Sequence, residues 1–168
     1  NSLTQVAAND NIGGGNLRSH VTFLAQANVR YAIAIAGNGN SFDSAGVFGD
    51  LQPAPPPNDN FANRITIPAP GTVTGTSSNA TRETGEPDHD GFAFGETVWW
   101  RYTPSVSGAI SIDTVGSGFN TVLAVYTGSP VNMLTEVGSN DNIGGGNLQS
   151  RIAFRATAGV SYAIAVTG

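Results

Sequence analysis

The residues best equipped for chemistry in this 168-residue chain are oxygen donors. Glu83, Glu86, Asp88 and Asp90 fall in one run, NATRETGEPDHDGFAF (79–94), with His89 among them. Ca2+ takes about six to eight oxygen ligands, so a loop of this composition can bend around the ion. The spacing matches no EF-hand, and the same residues serve equally as a solvated acidic loop. A second oxygen-rich stretch, Asn-Asp-Asn-Ile-Gly-Gly-Gly-Asn-Leu, occurs twice, at 9–17 and 140–148. Asp10 and Asp141 could face a cation there. Alternatively the Asx side chains build turns while the glycines take positive φ. It is not a phosphate loop, since no Gly-Lys-Ser/Thr and no helix follow. Trp99 and Trp100 are adjacent, so on a strand their rings point to opposite faces. One belongs to a core; the other is a sugar-stacking platform or an anchor at an interface.

Catalytic constellations are thin. There is no GxSxG or HExxH, and His20 and His89 are the two histidines. His89 lies among acids, as a ligand or as an exposed loop residue. Cysteine is absent, which excludes thiolate metal sites and cysteine nucleophiles. The expectation is a protein that is not an enzyme. Charged residues make up 11% of the chain, against about 25% on average. All seven basic residues are arginine and the net charge is −5. No basic patch is available to neutralise phosphates, so no nucleic-acid partner is expected. No apolar run approaches the ~18 residues of a membrane span, so no membrane insertion is expected. An exterior of Asn, Thr, Ser and Gly suits a secreted protein.

The elements that must hold these residues come in repeats. Residues 1–37 align without a gap on 132–168, and about 23 of the 37 positions are identical. His20 aligns with Arg151, a tolerant surface position. The offset of 131 is too long for a solenoid unit and suits a whole domain. The expected organisation is the C-terminal half of one repeat at 1–52, a proline linker at 53–57 (PAPPP) and a second repeat at 58–168. Nothing after Gly168 corresponds to 38–52, so the second repeat is expected to lack its last strand. In the first copy that strand is the run from Val47 through Phe48 to Leu51. An unfilled strand position leaves backbone groups beside apolar surface, which favours pairing with another chain. Val47, Phe48 and Leu51, with Trp99 and Trp100, are therefore the expected interface residues.

Hydrophobicity alternates with period two along most of the chain. Strands are expected at 3–7, 17–24, 29–36, 65–67, 72–77, 97–103, 109–115, 121–127, 134–138, 148–154 and 160–166. Turn signals separate them every 8–12 residues or so, and no helix of useful length competes. The pattern predicts an all-β fold, an antiparallel two-sheet β-sandwich of jelly-roll or Greek-key type.

NDNFANRITI, GEPDHDGFAFGETVWWRYTPSVSGAISIDTVGSGFNTVLAVYTG and SNDNIGGGNLQSRIAFRATAGVSYAIAVTG, taken in order, resemble the bacterial pre-peptidase C-terminal (PPC) domain. The resemblance covers 58–168, and 1–51 as the back half of another copy. It implies a secreted, non-catalytic β-sandwich module of extracellular peptidases or large surface proteins, with roles in attachment, spacing, substrate binding or secretion. It also implies Ca2+ at the start of the domain, where Asn58, Asp59 and Asn60 stand. The functional expectation is a structural repeat of a bacterial surface protein or extracellular filament. Its partners are other copies, as a head-to-tail homopolymer or a tandem array joined by strand complementation. The alternative is a Ca2+-tuned module binding polysaccharide or a protein polymer beside a secreted enzyme.

Overall fold

A computed structural model of the chain describes residues 3–10, 18–27, 29–36, 53–68, 70–93 and 95–168. They fall into two units, Asn1–Leu51 and Gln52–Gly168. Val47, Phe48 and Leu51 lie outside the described residues.

In the second unit three apolar runs without polar alternation, VWWRY, VLAVYT and YAIAVT, become β2 (Val98–Tyr102), β4 (Val122–Thr127) and β7 (Tyr162–Thr167). A strand that is apolar on both faces needs cover on both faces. These three occupy the centre of a five-stranded sheet, flanked by β1 (Ile65–Thr66) and β5 (Thr135–Asn140) in the order β1-β2-β7-β4-β5. All its pairings are antiparallel except β1 with β2. The edge strand β5 carries a register shift against β4 at Val125/Tyr126, a bulge of the kind that discourages further pairing. β3 (Gly108–Asp113) and β6 (Arg151–Ala156) do alternate, and they form a separate two-stranded antiparallel sheet. The chain is thus all-β among the described residues, with 3-10 turns at Phe61–Asn63 and Val131–Met133.

The main core joins the two sheets. Val98, Trp100, Leu123, Val125 and Ile164 from the large sheet meet Ile152 and Ala156 of β6, with Ile110 and Phe154 packed beside them. Residues 72–77, expected as a strand, have no strand partner. They lie over the core instead. Val73 packs against it, and a Cβ at Gly75 would stand 2.9 Å from the Trp100 ring. Only glycine lets the backbone approach an indole that closely, and the contact takes the place of a ladder.

The ladders follow a rule that the repeat makes visible. β5, β6 and β7 lie in the repeated stretch; β2, β3 and β4 do not. β5 pairs with β4, β6 with β3, and β7 with β2 and β4. Every ladder of the repeated strands runs to the non-repeated 98–127. The first unit carries the repeated stretch without that segment. Its described residues 3–10, 18–27 and 29–36 accordingly contain no hydrogen-bonded strand, contrary to the expectation from their periodicity. An alternating sequence supplies one side of a ladder; the N–H and C=O partners must come from elsewhere.

Candidate functional site

The residues singled out as oxygen donors do converge, on the outer face of the large sheet. That face presents Trp99, Ala124, Tyr126, Ala163 and Ala165, and Phe61 closes over it. The acidic run is the rest of the cover. Asp90-Gly91 makes a two-residue turn with both φ positive, 52° and 79°, and His89 and Phe92 exchange backbone hydrogen bonds across it at 3.0 and 2.9 Å. The turn drives His89 inward, where it is 2% exposed. The expectation of an exposed loop histidine is therefore corrected: the ring is buried and acts as a strut. Its Nδ1 lies 2.7 Å from the Tyr126 hydroxyl and its Nε2 3.0 Å from Glu86 Oε1. Its ring meets Trp99 nearly edge-on at 5.5 Å, while Phe61 meets Trp99 from another side at 5.1 Å.

Each expected calcium ligand already has work to do in this cover. Asn58 clamps β2: its carbonyl accepts from the Trp99 N–H at 2.9 Å and its Nδ2 donates to the Trp99 carbonyl at 3.0 Å. Both Asp59 carboxylate oxygens accept from Thr81, one from the N–H and one from the hydroxyl at 2.9 Å. Glu83 accepts from the Phe61 N–H, and Glu86 Oε2 accepts from the Glu83 N–H at 2.9 Å. Asp88 pairs with Arg82, and Asp90 accepts from the Ser139 hydroxyl at 2.9 Å. Among the described residues no group of three or more His, Asp or Glu stands at metal-binding spacing.

The electrostatics favour a strut over a reactive centre. Burial pushes the Glu86 carboxyl up, but hydrogen bonds from His89 and the Glu83 N–H outweigh it, and the net shift is downward from 4.5. Burial, reinforced by the carboxylates of Glu136, Glu86, Asp88 and Asp90, pushes the Tyr126 phenol well above its ordinary range. A phenol held neutral and buried at the bottom of the cover is not an available nucleophile or base. Millimolar Ca2+ is expected to move the thermal midpoint by less than about 1 °C, because these carboxylates face separate partners rather than one common point. A melt with and without chelator checks this; a shift of several degrees would return the acidic run to a metal role.

Trp99 and Trp100 do point to opposite faces. Both are buried, at 0% and 7% exposure, in the outer and inner clusters respectively. Neither ring offers a face to a sugar in this conformation.

The glycine-rich motif carries the chain from β5 to β6, between the sheets. Gly144, Gly145 and Gly146 all have positive φ, with nothing within 4 Å of a would-be Cβ. They are there for backbone conformation, not for close approach. Asn140 Oδ1 accepts from the Arg151 N–H at 2.9 Å, and Asn142 Nδ2 donates to Asp141 at 3.0 Å.

No family model, no curated protein and no solved structure matches this chain.

The first copy repeats the local geometry of the second in detail. The His20 N–H donates to Asn9 Oδ1 at 3.1 Å, as Arg151 does to Asn140. The Gln26 N–H donates to the Tyr31 hydroxyl at 2.8 Å, as Thr157 does to Tyr162 at 2.9 Å. Phe23 and Tyr31 rings stand 5.0 Å apart, as do Phe154 and Tyr162. Burial differs along the third stretch: Ile33 is 70% exposed where its counterpart Ile164 is 2% exposed, and Ala34 is exposed where Ala165 is fully buried. The same side chains are set in the same local frame, with and without strands to cover them. Periodicity marks these residues as strand-forming, and in the second copy every ladder of their counterparts runs to 98–127.

Proposed function

We propose that this chain is a non-catalytic structural repeat of a secreted bacterial surface protein or extracellular filament, with consecutive repeats joined by strand complementation. In this reading the two sheets are the faces of a PPC-like sandwich. The observation that carries it is the division of labour in the ladders. All partners of β5, β6 and β7 come from 98–127, and a second copy of the stretch that forms them, about 23 of 37 positions identical, has no strand among its described residues and exposes Leu3, Ile33 and Ile35. Exposed apolar strand residues of this number are an interaction surface, because unpaired backbone and apolar area together favour a further strand. The acidic run supports the same reading. Its carboxylates and its histidine are consumed in fastening a cover over Trp99, which suits a load-bearing module better than a reactive one.

Sedimentation velocity from about 1 to about 100 µM, with negative-stain microscopy, tests the reading. Species growing with concentration are expected. A single sedimenting species of 17.2 kDa across the range would defeat self-assembly.

A further inference from the structure

The first unit contains a cavity of about 500 Å3, lined by residues from all three of its described stretches: Ala8 and Asn9, Ser19, and Ala34, Ile35 and Ala36. Each has a counterpart 131 positions on, and those counterparts surround one element. In the second unit Ser139 and Asn140 on one side, and Ala165, Val166 and Thr167 on the other, are the residues between which β4 runs. Leu123 lies opposite both Asn140 and Val166, Ala124 opposite both Ser139 and Ala165, and Val122 opposite Thr167. Ser150, the counterpart of Ser19, closes the end of the slot. Its hydroxyl bonds the Thr121 carbonyl and lies 3.3 Å from the Thr121 hydroxyl.

We infer that the cavity of the first unit is the seat of a β4-type strand, the Thr-Val-Leu-Ala-Val-Tyr pattern of 121–126, supplied by a neighbouring repeat. The inference rests on the reading that repeats join by strand complementation, and it names the strand and the socket. The chain's own Thr121–Tyr126 cannot fill the cavity while it sits between β5 and β7. It is laddered on both sides and buried throughout. Residues 1–168 thus hold two sockets and one such strand, so the strand that fits the first socket is a second copy of this segment. The chemistry of recognition is that of β-augmentation. Main-chain hydrogen bonds run along both flanks, and Ala34 would stand opposite the strand's alanine, as Ala165 stands opposite Ala124. A seated strand would also lie beside Ile33, as Val125 lies opposite Ile164.

The probe is a labelled peptide of sequence Asn-Thr-Val-Leu-Ala-Val-Tyr-Thr flanked by arginines, titrated with the full chain by fluorescence anisotropy. Saturable one-to-one binding is expected, and a peptide of the same composition in shuffled order should not bind. Ala34→Trp sets an indole across from the strand's alanine, as Ala165 stands opposite Ala124, and is expected to weaken binding by about tenfold or more. Ala34 is exposed, so this variant should keep the wild-type melt of the second unit. No saturation, equal binding of the shuffled peptide, or an affinity unmoved by Ala34→Trp would each overturn the assignment. The outcome is separable from self-assembly. A chain that binds the peptide yet sediments as a monomer keeps the socket and loses the filament. A chain that assembles equally well as Ala34→Trp uses another surface.

Discussion

Ile164→Asp is expected to leave the second unit without a stable fold, whereas Ile33→Asp, the same change at the repeated position, should leave that unit's stability within about 0.5 kcal/mol of wild type. Ile164 is the centre of β7, opposite Trp100 on one flank and Val125 on the other, with its side chain in the inter-sheet core. A carboxylate there is buried among the apolar side chains of the core, and the lost side chain leaves a void besides. The two effects together exceed about 4 kcal/mol, most of the roughly 5–15 kcal/mol that holds an ordinary domain. Ile33 is exposed, so the same carboxylate stays hydrated. The measurement is Trp emission during a thermal melt, since both tryptophans lie in the second unit and both are buried there. Ile164→Asp should show solvent-exposed emission at room temperature. Ile164→Val, which only trims a methylene, should melt cooperatively after a loss of about 1 kcal/mol. Equal damage from the two aspartates would mean that the first copy is covered in solution, and the socket with it.

That asymmetry also marks what could be read from the residues alone. The strands from β2 onward lay close to their predicted spans, because VWWRY, VLAVY and YAIAV are too apolar and too β-branched to be anything else. The spans at 3–7, 17–24 and 29–36 carry the same signal, yet form no ladder among the described residues. Periodicity reports which face of a strand is apolar; it is silent on whether a partner exists. The partner became identifiable only when the ladders of β5, β6 and β7 were all traced to 98–127.

The acidic cover was illegible for a different reason. Its composition is that of a solvated loop, and burial of Glu86 and His89 depends on a hairpin at Asp90-Gly91 that brings them onto Trp99. Two signals could have exposed it. Asp-Gly is a strong two-residue turn dipeptide. The three central strands are apolar on both faces, so one cover cannot be enough, and the run at 79–94 was the longest stretch left to supply the second. Oxygen-donor composition alone does not distinguish a metal loop from a loop whose carboxylates cap its own backbone, because both place acceptors around a cluster of positive partial charge.

The strut should reveal itself through acid and through Glu86. Glu86→Ala is expected to cost about 3 kcal/mol, since it strands the half-buried Glu83 N–H and the buried His89 Nε2 that the carboxylate accepts from. A carboxylate can only accept, so Nε2 of the ring carries the hydrogen facing it, and in the neutral ring Nδ1 then accepts from Tyr126. Glu86→Gln should be milder, about 1 kcal/mol. Its carbonyl can take the Glu83 N–H while its amide donates to a ring that has switched tautomer, and Nδ1–H then donates to the Tyr126 oxygen. The pH dependence separates charge from shape. The Glu86 carboxyl is held below 4.5 in the folded unit, so the folded state binds fewer protons there than the unfolded chain. Its contribution is complete above about pH 4.5 and fades as pH falls through the lower folded value. Urea melts of the wild type should therefore lose stability in that window, and Glu86→Gln should lose less of it, having no proton to gain at that position. A Gln variant with an undiminished acid slope would place the acid sensitivity away from Glu86, and the strut would then hold by packing on Trp99 alone.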